Sequence, residues 1–140
     1  MSEPIYTRDI LRLASAIPHL GLLDNPDGIA DLRSPTCGSR VHVTVRINSD
    51  AHVAALGQLV NACAFGQASA ALMGARALGC SRADAAQALE QLTQWLAGEI
   101  DTPGPWPGLA TLAPARAKTG RHGAILLPFR ALLAAIDSAR

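Results

Sequence analysis

Aromatic residues are scarce in this chain, at 4%. A core here must be built from Ala, Leu, Val and Ile, with helices packed closely. No apolar run approaches the length needed to span a bilayer, which excludes a membrane-spanning helix as the organising element. Met1-Ser2-Glu3-Pro4-Ile5-Tyr6 has no basic stretch leading into an apolar one. No signal peptide is therefore expected, and a cytoplasmic location is the corresponding expectation. There is no dense Lys/Arg run, and the formal net charge is only +1. That argues against a nucleic-acid footprint. Cysteine is nearly absent: Cys37, Cys63 and Cys80 are the whole complement. An odd, small number without an export signal does not suggest a disulfide framework. Such cysteines are core fillers, metal ligands or reactive thiols. The chain also lacks CxxC and HxxxH spacings.

What is present points to one globular domain over residues 1–140. Hydrophobic residues make up 49% and charged residues 16%, ample for a core and unlike disorder. Tyr6 to Ile17 reads as a helix with Thr7 as N-cap and an apolar stripe of Ile10, Leu11, Leu13, Ala14 and Ile17. Pro18 to Gly28, with two prolines and two glycines, reads as a loop. Ile29 to Arg33 is a short strand. Val41, Val43, Val45 and Ile47 alternate with His42, Thr44 and Arg46, the mark of a half-buried strand. Asn48-Ser49-Asp50 turns the chain, and Val53 to Asn61 returns, with Gly57 a bulge candidate. Phe65 to Leu78, rich in Ala, Gly and Ser, reads as a buried helix closed by Gly79. Ser81-Arg82-Ala83-Asp84 resembles a capping box opening a helix to about Ala97. Asp101 to Gly108 is too rich in Pro and Gly for regular structure, and Trp106 is expected to pack it down. Leu109 to Ala113 suits one helical turn, and Pro114 to Arg121 is a basic connector. The last helix runs from His122 or Gly123 to Ala139, with Pro128 marking either its start or a kink. The order predicts an α+β fold: a three-stranded antiparallel sheet with helices packed on one face.

Two thiols stand out by position. Cys37 lies on the Pro35-Thr36-Cys37-Gly38 turn, between two strands. Cys63 ends the return strand and precedes the Ser/Ala-rich helix. The positive end of a helix dipole favours thiolate, the form that binds metal or attacks sulfur. Soft thiolates select Zn²⁺, Fe or Fe–S. His122, near the start of the last helix, is the third candidate ligand. The bland alternative is a small buried hydrophobe for each cysteine and a surface residue for His122. His19, His42 and His52 read as non-ligating, with His42 and His52 facing solvent. Cys80 reads as structural, in a turn between helices.

These residues, taken together, resemble a known family. Asn25-Pro26 through Pro35-Thr36-Cys37-Gly38-Ser39-Arg40, the valine strand, and Ala62-Cys63-Ala64-Phe65-Gly66-Gln67-Ala68-Ser69-Ala70-Ala71-Leu72-Met73 are similar to the U-type iron–sulfur cluster assembly scaffolds: IscU, SufU and the N-terminal domain of NifU. Pro18-His19-Leu20-Gly21 resembles that family's Asn-Pro-x-Asn-x-Gly loop. The resemblance covers the chain from about Tyr6 to its end and implies the same α+β fold. It implies a non-enzymatic scaffold or carrier that takes sulfur from a cysteine desulfurase and iron from a donor. Such a protein assembles a 2Fe–2S cluster and passes it to recipient or carrier proteins. Members also bind Zn²⁺ at the same site. The implied site residues are Cys37 and Cys63 for the cluster or metal, with His122 assisting, and no catalytic residue.

Two departures stand out. Ser39 occupies the position of the family's Asp, and no cysteine follows Cys80. Three registers remain open for the late cysteine position, giving Thr119, Gly123 or Ala124, the second with His122 on the family's preceding His. The Leu-Pro-Pro-Val-Lys loop is not reproduced by Leu112-Ala113-Pro114-Ala115-Arg116. Two thiolates and an imidazole suit Zn²⁺ with an open fourth position. A cluster ordinarily has four protein ligands, which a homodimer sharing one cluster would restore. The alternatives are a zinc-binding or desulfurase-interacting module that builds no cluster, and a Cys37/Cys63 redox protein.

Overall fold

The computed structural model describes residues 7–35 and 38–139. Three strands, β1 (Gly28–Arg33), β2 (Arg40–Ile47) and β3 (Val53–Asn61), form one antiparallel sheet in the order β1-β2-β3. The expected valine alternation sets the faces. Val41, Val43 and Val45 are fully buried, toward the helices. Asp31, His42 and Leu59 form one cross-strand row on the opposite face, and Arg33, Arg40 and Asn61 form the next.

Gly57 is not a bulge. It pairs in register with Thr44, and the irregularity falls instead at Arg46/Ile47. Gly57 is required for another reason. A Cβ there would lie 2.6 Å from the Gly21 carbonyl oxygen and 3.0 Å from the Leu23 nitrogen. The Pro18–Asp27 segment therefore lies as a strap across the outer sheet face. Leu23 N–H donates to Thr44 Oγ1 (3.1 Å), and Arg46 donates to the carbonyls of Asp24 and Asn25. Gln58, fully buried, holds the strap from within: its Nε2 donates to the Pro18 carbonyl (3.0 Å) and to that of Ala70 (3.2 Å).

Four helices follow the expected order: α1 (Arg8–Ala14), α2 (Ala64–Ala77), α3 (Arg82–Leu96) and α4 (His122–Ser138). Thr7 caps α1 through its hydroxyl, and Ser81 and Asp84 form a reciprocal capping box on α3. Between α3 and α4, Trp106 is buried, with its indole N–H on the Leu72 carbonyl (2.9 Å) and its ring edge-on to Phe129. The single expected turn at Leu109 is longer, a 3₁₀ segment over Leu109–Ala115, followed by a second at Thr119–Arg121. The last helix does not start at Pro128: α4 begins at His122 and runs through the proline.

α4 lies along β1 and β2. A Cβ on Gly28 would run into the Ala135 carbonyl, and the Ser138 hydroxyl bridges Ile29 N–H (2.8 Å) and C=O (3.0 Å). The C-terminal end of α4 is thus fixed at the start of β1. From Gly28 to Arg33 a strand advances about 17 Å, and a helix covers that distance in about eleven residues. Counting back from Ala135 brings the start of α4 to the end of β1, beside the β1–β2 turn. No helix among the described residues is long and apolar enough to cross a membrane.

Candidate functional site

Three segments meet at this end of the sheet. Register pairing of Arg33 with Arg40 and of Arg40 with Asn61 sets the β1–β2 turn beside the exit of β3. The β3 exit leads within two residues to Cys63. α2 then crosses α4 closely. A Cβ on Gly66 would lie 2.7 Å from Ala62 Cβ, 3.2 Å from the Ala124 carbonyl oxygen and 3.3 Å from Ala124 Cβ. Ser69, fully buried, donates to the Ile125 carbonyl at 2.5 Å. Pro128 bears on this crossing. Having no N–H, it leaves the Ala124 carbonyl without its usual donor four residues on, and that carbonyl faces Gly66.

Cys63 is the N-cap residue of α2. Its backbone is extended (φ −66°, ψ 173°), and its thiol makes no capping hydrogen bond. It is a free cysteine, half-buried. His122 is the first residue of α4, at the same end of the α2–α4 pair. Its Nε2 lies 3.0 Å from both the Ala115 and Arg116 carbonyl oxygens. Carbonyls only accept, so Nε2 carries the proton and neutral imidazole keeps its lone pair on Nδ1. That is how a metal-binding histidine is oriented by its surroundings, with one nitrogen held by backbone and the other presented. The carbonyls come from the end of the 3₁₀ segment, which Arg116 in turn anchors. Its Nε donates to the Trp95 carbonyl (3.0 Å), and its guanidinium lies over the Trp95 ring at 5.0 Å.

Cys37 and Thr36 lie outside the described residues. The turn on either side of them is closed by Ser34 N–H on the Ser39 carbonyl (2.8 Å) and Gly38 N–H on the Ser34 carbonyl (3.2 Å). Gly38 has φ +73°, a conformation glycine adopts without strain. Ser39, at the position expected to hold a carboxylate, is buried.

Cys80 belongs elsewhere. Its carbonyl accepts from Val53 N–H (2.9 Å), beyond the C-terminal end of α2. The 14 residues of α2 span about 21 Å, so Cys80 cannot join Cys63. Burial, with Asp84 adding to it, pushes the Cys80 thiol up to about 11, which keeps it protonated and inert. Among the described residues no group of three or more His, Cys, Asp and Glu side chains is gathered to hold a metal. The described part of the site is therefore one thiol and one imidazole at the mouths of adjacent helices.

No protein-family model matches the sequence, and no curated protein matches it significantly. Solved structures do. The crystal structure of a nitrogen-fixing NifU-like protein (N-terminal) from Brucella abortus superposes with a TM-score of 0.90. It is 29% identical, over 96% of this chain and 94% of that one. The chain has the U-type scaffold fold.

A second structure with the U-type fold is a putative iron–sulfur cluster assembly scaffold protein for the SUF system from Fervidobacterium islandicum. It gives a TM-score of 0.84 over 94% of this chain and 96% of that one; at 18% identity it bears on the fold alone. On the outer face, His42 and Leu59 had no sequence signal beyond their strand pattern, and Leu20 lay in the segment read as a loop. His42, expected to face solvent, is half-buried and lines a hollow with both leucines.

Proposed function

We propose that this chain is an iron–sulfur cluster assembly scaffold or carrier. Its cargo is received at Cys63 and Cys37, with His122 Nδ1 as the assisting donor. The observation that carries the reading is the likeness, across nearly the whole chain, to a NifU-like N-terminal domain. It is supported by the free N-cap thiol of Cys63, which lies at the same end as the β1–β2 turn and the start of α4. Chemically, thiolates receive sulfur or iron, and the cluster leaves by ligand exchange with a recipient. A cysteine desulfurase supplies the sulfur, and iron–sulfur recipient or carrier proteins take the product. With Ser39 in place of a carboxylate and no late cysteine, one chain offers two thiolates. Completing the usual four falls to a second copy sharing the cargo or to a recipient's own thiols. Anaerobic reconstitution with iron and sulfide tests the reading. A visible charge-transfer absorption is expected, and its absence overturns cluster assembly.

One observation favours a second reading, a zinc-binding module of the same fold. His122 is held through Nε2 as zinc-binding histidines are. Two thiolates and an imidazole leave one position open on Zn²⁺. Metal analysis of protein purified without chelator separates the two: stoichiometric zinc that iron and sulfide do not displace favours the module.

A further inference from the structure

The last turn of α3 carries no basic side chain of its own. Carbonyls at a helix C-terminus lack helical donors and carry partial negative charge. Arg116, the residue that ends the 3₁₀ segment Leu109–Ala115, brings a cation there from elsewhere in the chain. The Trp95 carbonyl accepts from Gly98 N–H at 3.1 Å, and its second lone pair takes Arg116 Nε at 3.0 Å. Arg116 Nη2 lies 3.5 Å from the Ile100 carbonyl oxygen. The guanidinium also sits over the Trp95 ring, 5.0 Å from its centroid, and Trp95 is buried. A planar fork can lie over a ring and donate from its edge at once, which a single ammonium nitrogen cannot match.

The backbone of Arg116 does a different job. Its carbonyl and that of the fully buried Ala115 both accept from His122 Nε2, each at 3.0 Å. The Arg116 side chain thus ties the segment to α3, and the segment's carbonyls tie down the imidazole. In neutral imidazole either nitrogen can hold the proton, and the hydrogen bond made by one settles which. Here both partners are acceptors, so Nδ1 is left as the ring's one donor atom for a metal.

From this relay we propose that Arg116 is a positioning residue. It holds the Ala115 and Arg116 carbonyls where they fix His122 as the Nε2–H tautomer and leave Nδ1 as the donor to the cargo. The C-terminal turn of α3 thereby sets a donor on α4. The proposal rests on the reading of His122 as a donor to metal cargo.

The test uses the full reduced chain, free of metal. Long-range proton–nitrogen NMR reads the imidazoles at a pH where they are neutral, with His122 assigned by His122→Gln. The wild type should show His122 as the Nε2–H tautomer alone. Arg116→Ala should show both tautomers. Arg116→Lys, which keeps the charge but not the planar fork, should fall between. Lys118→Ala is the control, an exposed cation two residues on, and should match the wild type. Circular dichroism checks that each variant is folded; should Arg116→Ala not fold, Arg116→Lys carries the comparison. The second arm is titration with Co²⁺, followed by its visible absorption. Arg116→Ala should weaken Co²⁺ binding about tenfold, the usual effect of losing a partner that orients a ligand. In a chain already carrying His122→Gln it should weaken binding no further. A His122 tautomer unchanged in both Arg116 variants overturns the proposal. So does an equal loss of Co²⁺ affinity in the His122→Gln background, which would make Arg116 a support of the fold alone. The tautomer is read without metal, and cluster reconstitution tests the scaffold reading, so the two can fail separately.

Discussion

Replacing Gly66 by alanine sets two effects of known size against each other. Alanine is the better helix former; the gain is about 0.5–1 kcal/mol in a helix interior and at most that in the first turn of α2, where Gly66 lies. Packing opposes it. The new methyl would lie 2.7 Å from Ala62 Cβ, and 3.2 and 3.3 Å from the Ala124 carbonyl oxygen and Cβ. Carbon atoms at rest stand about 3.5–4.0 Å apart, so α2 and the start of α4 must separate by several tenths of an ångström. Overpacking of this kind costs about 1–3 kcal/mol. The Ser69–Ile125 hydrogen bond at 2.5 Å resists the movement one turn away. The net expectation is a loss of about 1–2 kcal/mol, because the overlap exceeds the gain in propensity. With an unfolding entropy of about 0.3 kcal/mol/K for a chain of this length, that lowers Tm by about 3–7 °C. Thermal unfolding followed by circular dichroism at 222 nm is the assay. A Tm equal to or above wild type would refute the reasoning, since it would mean that α2 and α4 do not approach closely at Gly66. The site should register the same shift, because this crossing sets the ends of α2 and α4 together.

Thr44→Val keeps the shape of a buried side chain but removes the acceptor for Leu23 N–H and the donor to the Gly57 carbonyl. It should cost about 1–3 kcal/mol and speed amide exchange at Leu23; unchanged exchange there would mean the strap is not held through Thr44. The cysteines should alkylate in order. Cys63 should react with iodoacetamide in the native protein near neutral pH. Cys80, buried and with its thiol pushed up to about 11, should react only on unfolding or in strong alkali. The sign of the linked stability follows. The folded state holds the Cys80 proton above the ordinary value of 9.0. Its contribution is therefore complete below that pH and is lost as pH rises toward about 11. A wild-type denaturation midpoint that falls over this range more steeply than that of Cys80→Ala is the expected result.

Much of this fold is legible because its period-2 and helical patterns are clean. β3 runs over the residues read from sequence, β2 begins one residue earlier, and the Ser81–Asp84 box opens α3 as its spacing says. Gly57 was legible as special but not in its role: a strand glycine marks either a bulge or a close backbone approach, and only the path of Pro18–Asp27 decides for the latter. Pro128 shows the same limit. Its missing donor would break an isolated helix, whereas burial along β1, β2 and α2 carries α4 through it. In the site, Cys63 at the mouth of α2 follows from the change of pattern after Asn61. The orientation of His122 does not, because it depends on carbonyls of a 3₁₀ segment whose length the sequence left open. The hollow between Leu20 and Leu59 joins residues far apart in the chain and depends on the strap stopping short of His42.

The most direct test of the central claim is anaerobic reconstitution of the wild type and of three single variants, Cys37→Ser, Cys63→Ser and Cys80→Ser, with iron and sulfide. Visible absorption and circular dichroism are recorded beside iron and acid-labile sulfide per chain. A scaffold of the proposed kind gives a charge-transfer spectrum in the wild type and in Cys80→Ser, and loses it in Cys37→Ser and Cys63→Ser. A wild type that takes up no iron and sulfide, or a spectrum that survives in Cys63→Ser, would contradict it.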